Sequence, residues 1–290
     1  MIDVEEVDFF YQQTPVLNQF TLKKSDPGIC GLWGRNGAGK TTLMNLLAGY
    51  ERPHKGTISI MGMDPYENLA AQEHLCYIQE NHPFGRTWTM KDVFKYGQYF
   101  YPNWDGEQAE QFSRIFNLPL NKNLTKFSKG MKTAAQLILG LSSNAAVSIL
   151  DEPTNGLDAV HRKQFYRALT ESYKHHPRLL FISTHHVEEI QPLCESLVVV
   201  HAGKVLFHEK MKDIEKRGIT LTGAHDSIEK ATEHANIIDS LKEDLTTTVM
   251  IDAMYSDEWK EMSESLNISI NKSSLQDYLV NMTTKEVVMK

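Results

Sequence analysis

The stretch Gly34-Arg35-Asn36-Gly37-Ala38-Gly39-Lys40-Thr41-Thr42 fits the pattern GxxxxGK[ST]. The pattern has meaning only in context. An apolar run over residues 28–32 precedes it and a helical pattern over 40–48 follows, so the glycines form a loop between a strand and the start of a helix. Backbone N–H groups in such a loop wrap around phosphate oxygens at the positive end of the helix, where a Cβ would collide. Gly34, Asn36, Gly37, Ala38, Gly39 and Thr42 are therefore expected to belong to the phosphate cradle. Lys40 is expected to reach the β- and γ-phosphates, and the Thr41 hydroxyl to ligate Mg²⁺. By itself the loop announces a nucleotide and leaves open which machine uses it.

Outward from the loop, short apolar runs bounded by turn residues alternate with helical patterns, the mark of an α/β chain with a buried, mainly parallel sheet. Strands are expected at 28–32, 75–78, 145–150, 179–183 and 197–200, a further helix at 129–141, and a mostly helical insertion over about 80–143. The run Val147-Ser148-Ile149-Leu150 ends in Asp151-Glu152, which places two carboxylates at the sheet edge where such folds bind ligands. Asp151 suits orientation of Mg²⁺ through its water shell, and Glu152 suits polarising or deprotonating an attacking water. Acidic residues after a strand also occur as plain solvated loops, so this pair gains its meaning only beside the glycine loop.

Composition narrows the class. A net charge of -7 argues against a nucleic-acid partner, whose phosphate backbone selects a basic surface. No apolar run exceeds about four residues, against the roughly 20 of a membrane-spanning helix. Residues 1–8 are acidic and lack the basic and apolar regions of an export signal. Cys30, Cys76 and Cys194 form no CxxC pair and lie in apolar segments, as small buried hydrophobes of a reducing compartment do.

Over residues 2–210 the motifs together resemble the ABC ATPase family. Phe127-Ser128-Lys129-Gly130-Met131 stands in the place of its LSGGQ signature, 23 residues before Asp151, keeping the Ser and the second Gly. Ser128 can cap the helix that follows, and Gly130 lets backbone approach a phosphate at the positive helix end. The resemblance implies that this phosphate belongs to ATP held by a second ATPase subunit. It also implies that Gln79 is the metal-sensing glutamine and that Asn155-Gly156-Leu157-Asp158 is the loop crossing the dimer interface. His185, in Ser183-Thr184-His185-His186, becomes the γ-phosphate contact. Tyr11, 23 residues before Gly34, has the spacing of the adenine-stacking aromatic, although Phe9, Phe10 and Tyr11 could also simply alternate into a sheet core.

Eight aromatics fall within the 21 residues 84–104, where the average of 9% would give about two. They either meet a partner or form the insertion's own core. The ATPase pattern ends near residue 216, giving an ABC ATPase domain over 1–216 and a small C-terminal α/β accessory domain over 217–290. In the latter, strands are expected at 219–222, 246–251 and 267–270, with helices at 226–241, 257–266 and 273–282.

The signature, the run Tyr101-Pro102-Asn103-Trp104-Asp105 and the tail Ser274-Leu275-Gln276-Asp277-Tyr278-Leu279 are similar to exporter ATPases of Gram-positive bacteria that move peptides and antimicrobials. That likeness implies ATP and Mg²⁺ as ligands, a homo- or heterodimer of ATPase chains, and a multi-span membrane permease that itself contacts the exported peptide. The chain would then sit on the cytoplasmic face of the cell membrane. The rival classes are an importer ATPase and a soluble ABC ATPase acting on ribosomes or DNA. The presence of one motif set and the spacing of 87 residues between Lys40 and Ser128 speak against the last.

Overall fold

The computed structural model describes residues 1–80 and 82–288. The chain divides into two compact units, one of Met1–His185 with Leu193–His208, the other of His186–Pro192 with Glu209–Lys290. Strands and helices are numbered along the chain.

In the first unit β1 (Ile2–Tyr11), β2 (Thr14–Lys24) and β4 (Lys55–Ile60) form an antiparallel sheet in the order β2-β1-β4. The main sheet contains β3 (Gly28–Trp33), β5 (Leu75–Ile78), β6 (Val147–Asp151), β7 (Leu179–Thr184), β8 (Ser196–His201) and β9 (Lys204–Lys210). Its order is β5-β6-β7-β3-β8-β9, and the pairings from β5 through β8 are parallel. Every residue of β3, β5, β6 and β7 is buried, which is why these strands read as continuous apolar runs rather than alternating ones. One core joins the two sheets: Phe20 and Ile60 belong to the same apolar cluster as Leu32, Leu43, Ile149 and Phe181. The five expected core strands are all present, each shifted by at most two residues at an end.

Helix α1 (Lys40–Leu47) follows β3, and α2 (Leu69–Gln72) precedes β5. The insertion holds α3 (Met90–Phe100), α4 (Gly106–Ile115) and α5 (Lys129–Ser142). Its starts are set by side chains that satisfy orphan N–H groups: a capping box between Thr89 and Asp92, then Asp105, then Ser128. The insertion's fully buried apolar residues include Met90, Val93, Phe112, Phe116 and Leu124, whereas none of the eight aromatics at 84–104 is fully buried. Tyr99 and Phe100 are 80% and 60% exposed, whereas the other six aromatics are half-buried, Trp88 stacked on Tyr96. Helix α6 (Ala159–His175), capped by Asp158, leads back to β7.

The second unit contains α7 (Val187–Ile190), α8 (Met211–Ile214), β10 (Arg217–Gly223), α9 (His225–Ala231), β11 (Ile237–Lys242), β12 (Thr247–Met254), α10 (Glu258–Leu266), β13 (Ser269–Lys272) and α11 (Leu275–Val288). The antiparallel sheet has the order β11-β12-β10-β13 and its own core around Ile219, Leu221, Ile228, Val249 and Ile251.

Two expectations change here. The helix expected over 226–241 stops at Ala231, and Ile237–Lys242 is an edge strand paired with β12. Ile237 and Ile238 suit either state, and the open edge of β12 decides it. The division between units also falls at Glu209 rather than 217, and the second unit takes in the short segment 186–192. Among the described residues no helix is long and apolar enough to cross a membrane. All three cysteines are buried and free.

Candidate nucleotide site

Parallel pairing brings the chemistry to one edge of the sheet. Strand β7 lies between β6 and β3, with Asp151 beside Ser183 and Trp33 beside Thr184. The glycine loop, the carboxylate pair and His185 therefore leave the sheet at the same ends, as ligand sites in such sheets do. They enclose a cleft of about 460 Å³ lined by Arg35 to Thr42, Val16, Glu80, Asp151, Glu152, Asn155 and His185. A larger cleft of about 1230 Å³ opens beside Trp104, Asn144, Ala146 and Arg178. Ala146 and Arg178 immediately precede β6 and β7, so that cleft lies at the other end of the strands. Its guanidinium is committed to the carbonyls of Leu141, Ser172 and His176, a structural clamp whose burial lowers the Arg178 pKa to about 10. The smaller cleft carries the convergent chemistry.

Two glycines are set by sterics. Gly39 caps α1 at φ 102°, and a Cβ on it would lie 2.8 Å from Leu17 Cδ2; one on Gly34 would lie 2.7 Å from the Val200 carbonyl oxygen. Gly37 faces open space, with nothing within 4 Å of where its Cβ would be. The Lys40 Nζ donates to the Gly34 carbonyl at 2.5 Å and to that of Arg35 at 3.5 Å. Burial pushes its pKa down, opposed by the charges of Glu152 and Asp151. An ammonium group held by its own loop, in a cleft of backbone N–H groups, fits a polyphosphate.

The carboxylates are organised by one residue that sequence reasoning treated only as the end of a strand. Ser183 Oγ donates to Asp151 Oδ1 at 2.5 Å and accepts the Glu152 N–H at 2.9 Å. Thr41 Oγ1 donates to Asp151 Oδ2 at 3.3 Å, and His185 Nδ1 lies 2.9 Å from Glu152 Oε1. Glu152 has φ 47°, a conformation costly for a side-chain-bearing residue and held here from both ends. The hydroxyl of Thr41 and the carboxylate of Asp151 meet at the mouth of the phosphate loop, which is the donor set a hard Mg²⁺ ion takes together with phosphate oxygens.

Burial pushes the Asp151 pKa up, and the hydrogen bonds from Ser183 and Thr41 and the charge of Lys40 act against it. A carboxyl that binds its proton more tightly folded than unfolded stabilises the fold at low pH, and this contribution is lost as pH rises through the raised value. Ionised Asp151 is thus a cost to the empty site at neutral pH. Asp151→Asn should raise the melting temperature at about pH 7.5 without nucleotide or Mg²⁺, and the gain should shrink toward about pH 4. Thermal unfolding across that range checks it; a lower melting temperature at neutral pH would contradict it.

The remaining expected residues are distributed unevenly. Asn36, Gly37, Ala38, Gly39, Lys40, Thr41, Thr42, Asp151, Glu152 and His185 line the cleft, with Gly34 behind it as the acceptor for Lys40. Tyr11 is not in the lining; the residue is 45% exposed at the end of β1, its hydroxyl donates to Glu51, and Val16 from the same hairpin reaches the cleft instead. Phe9, by contrast, is buried in the core. Ser128 and Gly130 begin α5 outside the lining, Ser128 Oγ accepting the Met131 N–H at 3.2 Å. Asp158 caps α6 by accepting from the His161 N–H at 2.8 Å and also stands outside.

Gln79 does not line the cleft, whereas Glu80 does. Consecutive residues leaving a strand point to opposite sides, so a one-residue difference in phase exchanges them. Glu80 Oε1 accepts from Asn155 Nδ2 at 2.5 Å, and the Asn155 carbonyl accepts from Thr133 Oγ1 on α5 at 3.3 Å. These bonds link the loop after β5, the loop after β6 and the helix capped by Ser128.

Comparison with known proteins agrees with this geometry. The family described as ABC transporter matches residues 17–155. The provisionally named ABC transporter ATP-binding protein AlbC of Bacillus subtilis is 30% identical over 213 residues, covering 69% of this chain and 88% of AlbC. The Nod factor export ATP-binding protein I of Rhizobium etli is 27% identical over 221 residues, covering 73% of this chain and 69% of its own. A solved ATP-binding subunit of an ABC transporter superposes with a TM-score of 0.67 at 25% identity, over 74% of this chain and 92% of that one. A glycine loop, a carboxylate pair and a histidine converging at one sheet edge, in a chain with these relatives, make it a member of the family of ABC transporter ATP-binding proteins and an ATPase.

Proposed function

We propose that the chain is the ATP-hydrolysing subunit of an exporter for peptides or amphipathic antimicrobials, working on the cytoplasmic face of a membrane through a separate permease. The observation that carries the hydrolytic part is the chain of contacts from Thr41 through Asp151 and Ser183 to Glu152 and His185. Thr41, Asp151 and Glu80 would hold Mg²⁺, which supplies positive charge opposite the β- and γ-phosphate oxygens. Glu80 takes the place expected of Gln79.

Lys40 exchanges its carbonyl contacts for phosphate. Glu152, fixed by the Ser183 hydroxyl and by His185, accepts the proton of the attacking water, and His185 contributes to the γ-phosphate contact. The Tyr11 ring is open for stacking on the base, worth on the order of 1 to 3 kcal/mol. Ser128 and Gly130, exposed or half-exposed at the start of α5, face the γ-phosphate of ATP held by a second ATPase chain, with Asp158 near the same interface. In Ser128→Arg the isolated chain should therefore keep its ATP affinity while the assembled transporter loses hydrolysis; loss of binding by the monomer would place Ser128 in the primary pocket.

The permease contact is supported by the aromatic surface of residues 84–104, with Tyr99 and Phe100 outermost. Export is supported by the motif resemblance to Gram-positive exporters, such as the ATPase subunits of the staphylococcal phenol-soluble-modulin exporter. The experiment is purification of the tagged chain from detergent-solubilised membranes, followed by reconstitution and export of an amphipathic helical peptide of the modulin type. Recovery with a multi-span membrane protein and ATP-dependent peptide transport are expected. Recovery with ribosomes, or with a substrate-binding protein and inward transport, would overturn the reading.

A further inference from the structure

The second unit contains seven residues, His186–Pro192, that are remote in sequence from the rest of it and begin immediately after His185. Within them α7 is a single turn, and like any helix start it leaves N–H groups without partners inside the helix. His186, in the capping position, makes no side-chain cap hydrogen bond. The acceptor comes from 89 residues further along: the Val187 N–H donates to Gln276 Oε1 at 3.1 Å. Helix α7 packs against α11, and Gln191 Nε2 donates to Glu215 Oε1 at 3.0 Å, so the segment is held at both its ends by the C-terminal unit.

Gln276 is itself carried on a fixed turn. Ser274 Oγ accepts the Asp277 N–H at 3.0 Å at the start of α11. Tyr278 is fully buried, with its hydroxyl donating to Asp252 Oδ1 at 2.8 Å. A Cβ on Gly218 would come within 3.0 Å of Tyr278, so β10 and α11 approach as closely as that glycine allows. The carboxamide between these anchors has little freedom to leave Val187.

We propose that Gln276 is a positioning residue for ATP hydrolysis: by capping the turn that follows His185, it makes the placement of His185 depend on the C-terminal unit. The chain passes from the histidine at Glu152 to the capped N–H in two residues, and backbone dihedrals over so short a span transmit a shift at one end to the other. The inference rests on the role given to His185 above.

The test uses the full chain in its membrane complex and two substitutions. Gln276→Ala removes the acceptor, and Gln276→Glu keeps an oxygen in its place. Gln276→Ala should lower kcat for ATP roughly five- to tenfold, the rate equivalent of about one hydrogen bond, with KM for ATP and the melting temperature unchanged. Gln276→Glu should restore most of kcat. An unchanged kcat in Gln276→Ala, a change confined to KM or melting temperature, or a Gln276→Glu variant as slow as Gln276→Ala would overturn the proposal. Wild-type turnover that Lys40→Ala abolishes establishes the hydrolytic site independently, so failure of this inference and failure of the underlying function remain distinct.

Discussion

Lys40→Ala should lower ATP hydrolysis to near the detection limit. Lys40 is 8% exposed, and its ammonium group donates into the carbonyls of its own loop. Removing one preorganised donor from a site of this kind typically costs about 10²- to 10³-fold in turnover. Lys40 also carries the only charge of its sign inside the stretch Gly37–Thr42, so ATP affinity should fall together with the rate. The fold should survive, because burial already works against this charge and alanine is a good helix former at the first position of α1. Phosphate release and nucleotide binding by the variant, with its melting temperature as a control, check the three parts.

Glu152→Gln separates binding from chemistry. Glutamine keeps the size of the side chain and an oxygen within reach of His185 Nδ1, and the backbone N–H to Ser183 is unaffected. What is lost is the carboxylate that accepts a proton, so turnover should fall by roughly 10²- to 10⁴-fold, the contribution of a positioned general base. If ATP is held between two chains, as proposed above, it should then accumulate there. Ligand linkage contributes about 2.7 kcal/mol per site at 100 times the dissociation constant. Two sites give about 5.4 kcal/mol, close to the roughly 5.5 kcal/mol that moves an equilibrium from 1:99 to 99:1. The variant should therefore populate a closed, ATP-bound dimer, read in the complex as slow nucleotide release.

What was legible in the sequence was whatever is written in consecutive residues. The loop Gly34–Thr42, the strand ending in Asp151-Glu152, and His185 at the end of β7 carry their geometry in their spacing, because a parallel sheet delivers the ends of its buried strands to one edge. Phase was less secure: Gln79 and Glu80 both follow β5, and only the placed backbone turns Glu80 to the cleft. Nothing in the sequence marks Ser183, because serine near a strand end is common, and its role appears only when register sets it beside Asp151. Long-range pairings were not legible at all. The hydrogen bond from Val187 to Gln276 spans 89 residues, and the edge strand Ile237–Lys242 exists because β12 offers it a partner. The aromatics at 84–104 showed their density in the sequence but not that Tyr99 and Phe100 stay exposed while Met90, Val93 and Phe112 are buried.

Whether ATP is bound in this cleft and cleaved with Glu152 as base can be read by recovering the nucleotide from the assembled Glu152→Gln complex after a single addition of radiolabelled ATP. Intact ATP should stay with the protein through washing, while the wild-type complex over the same interval releases phosphate and retains ADP or nothing. A Glu152→Gln complex that releases phosphate at the wild-type rate, or that retains no nucleotide, would contradict that reading.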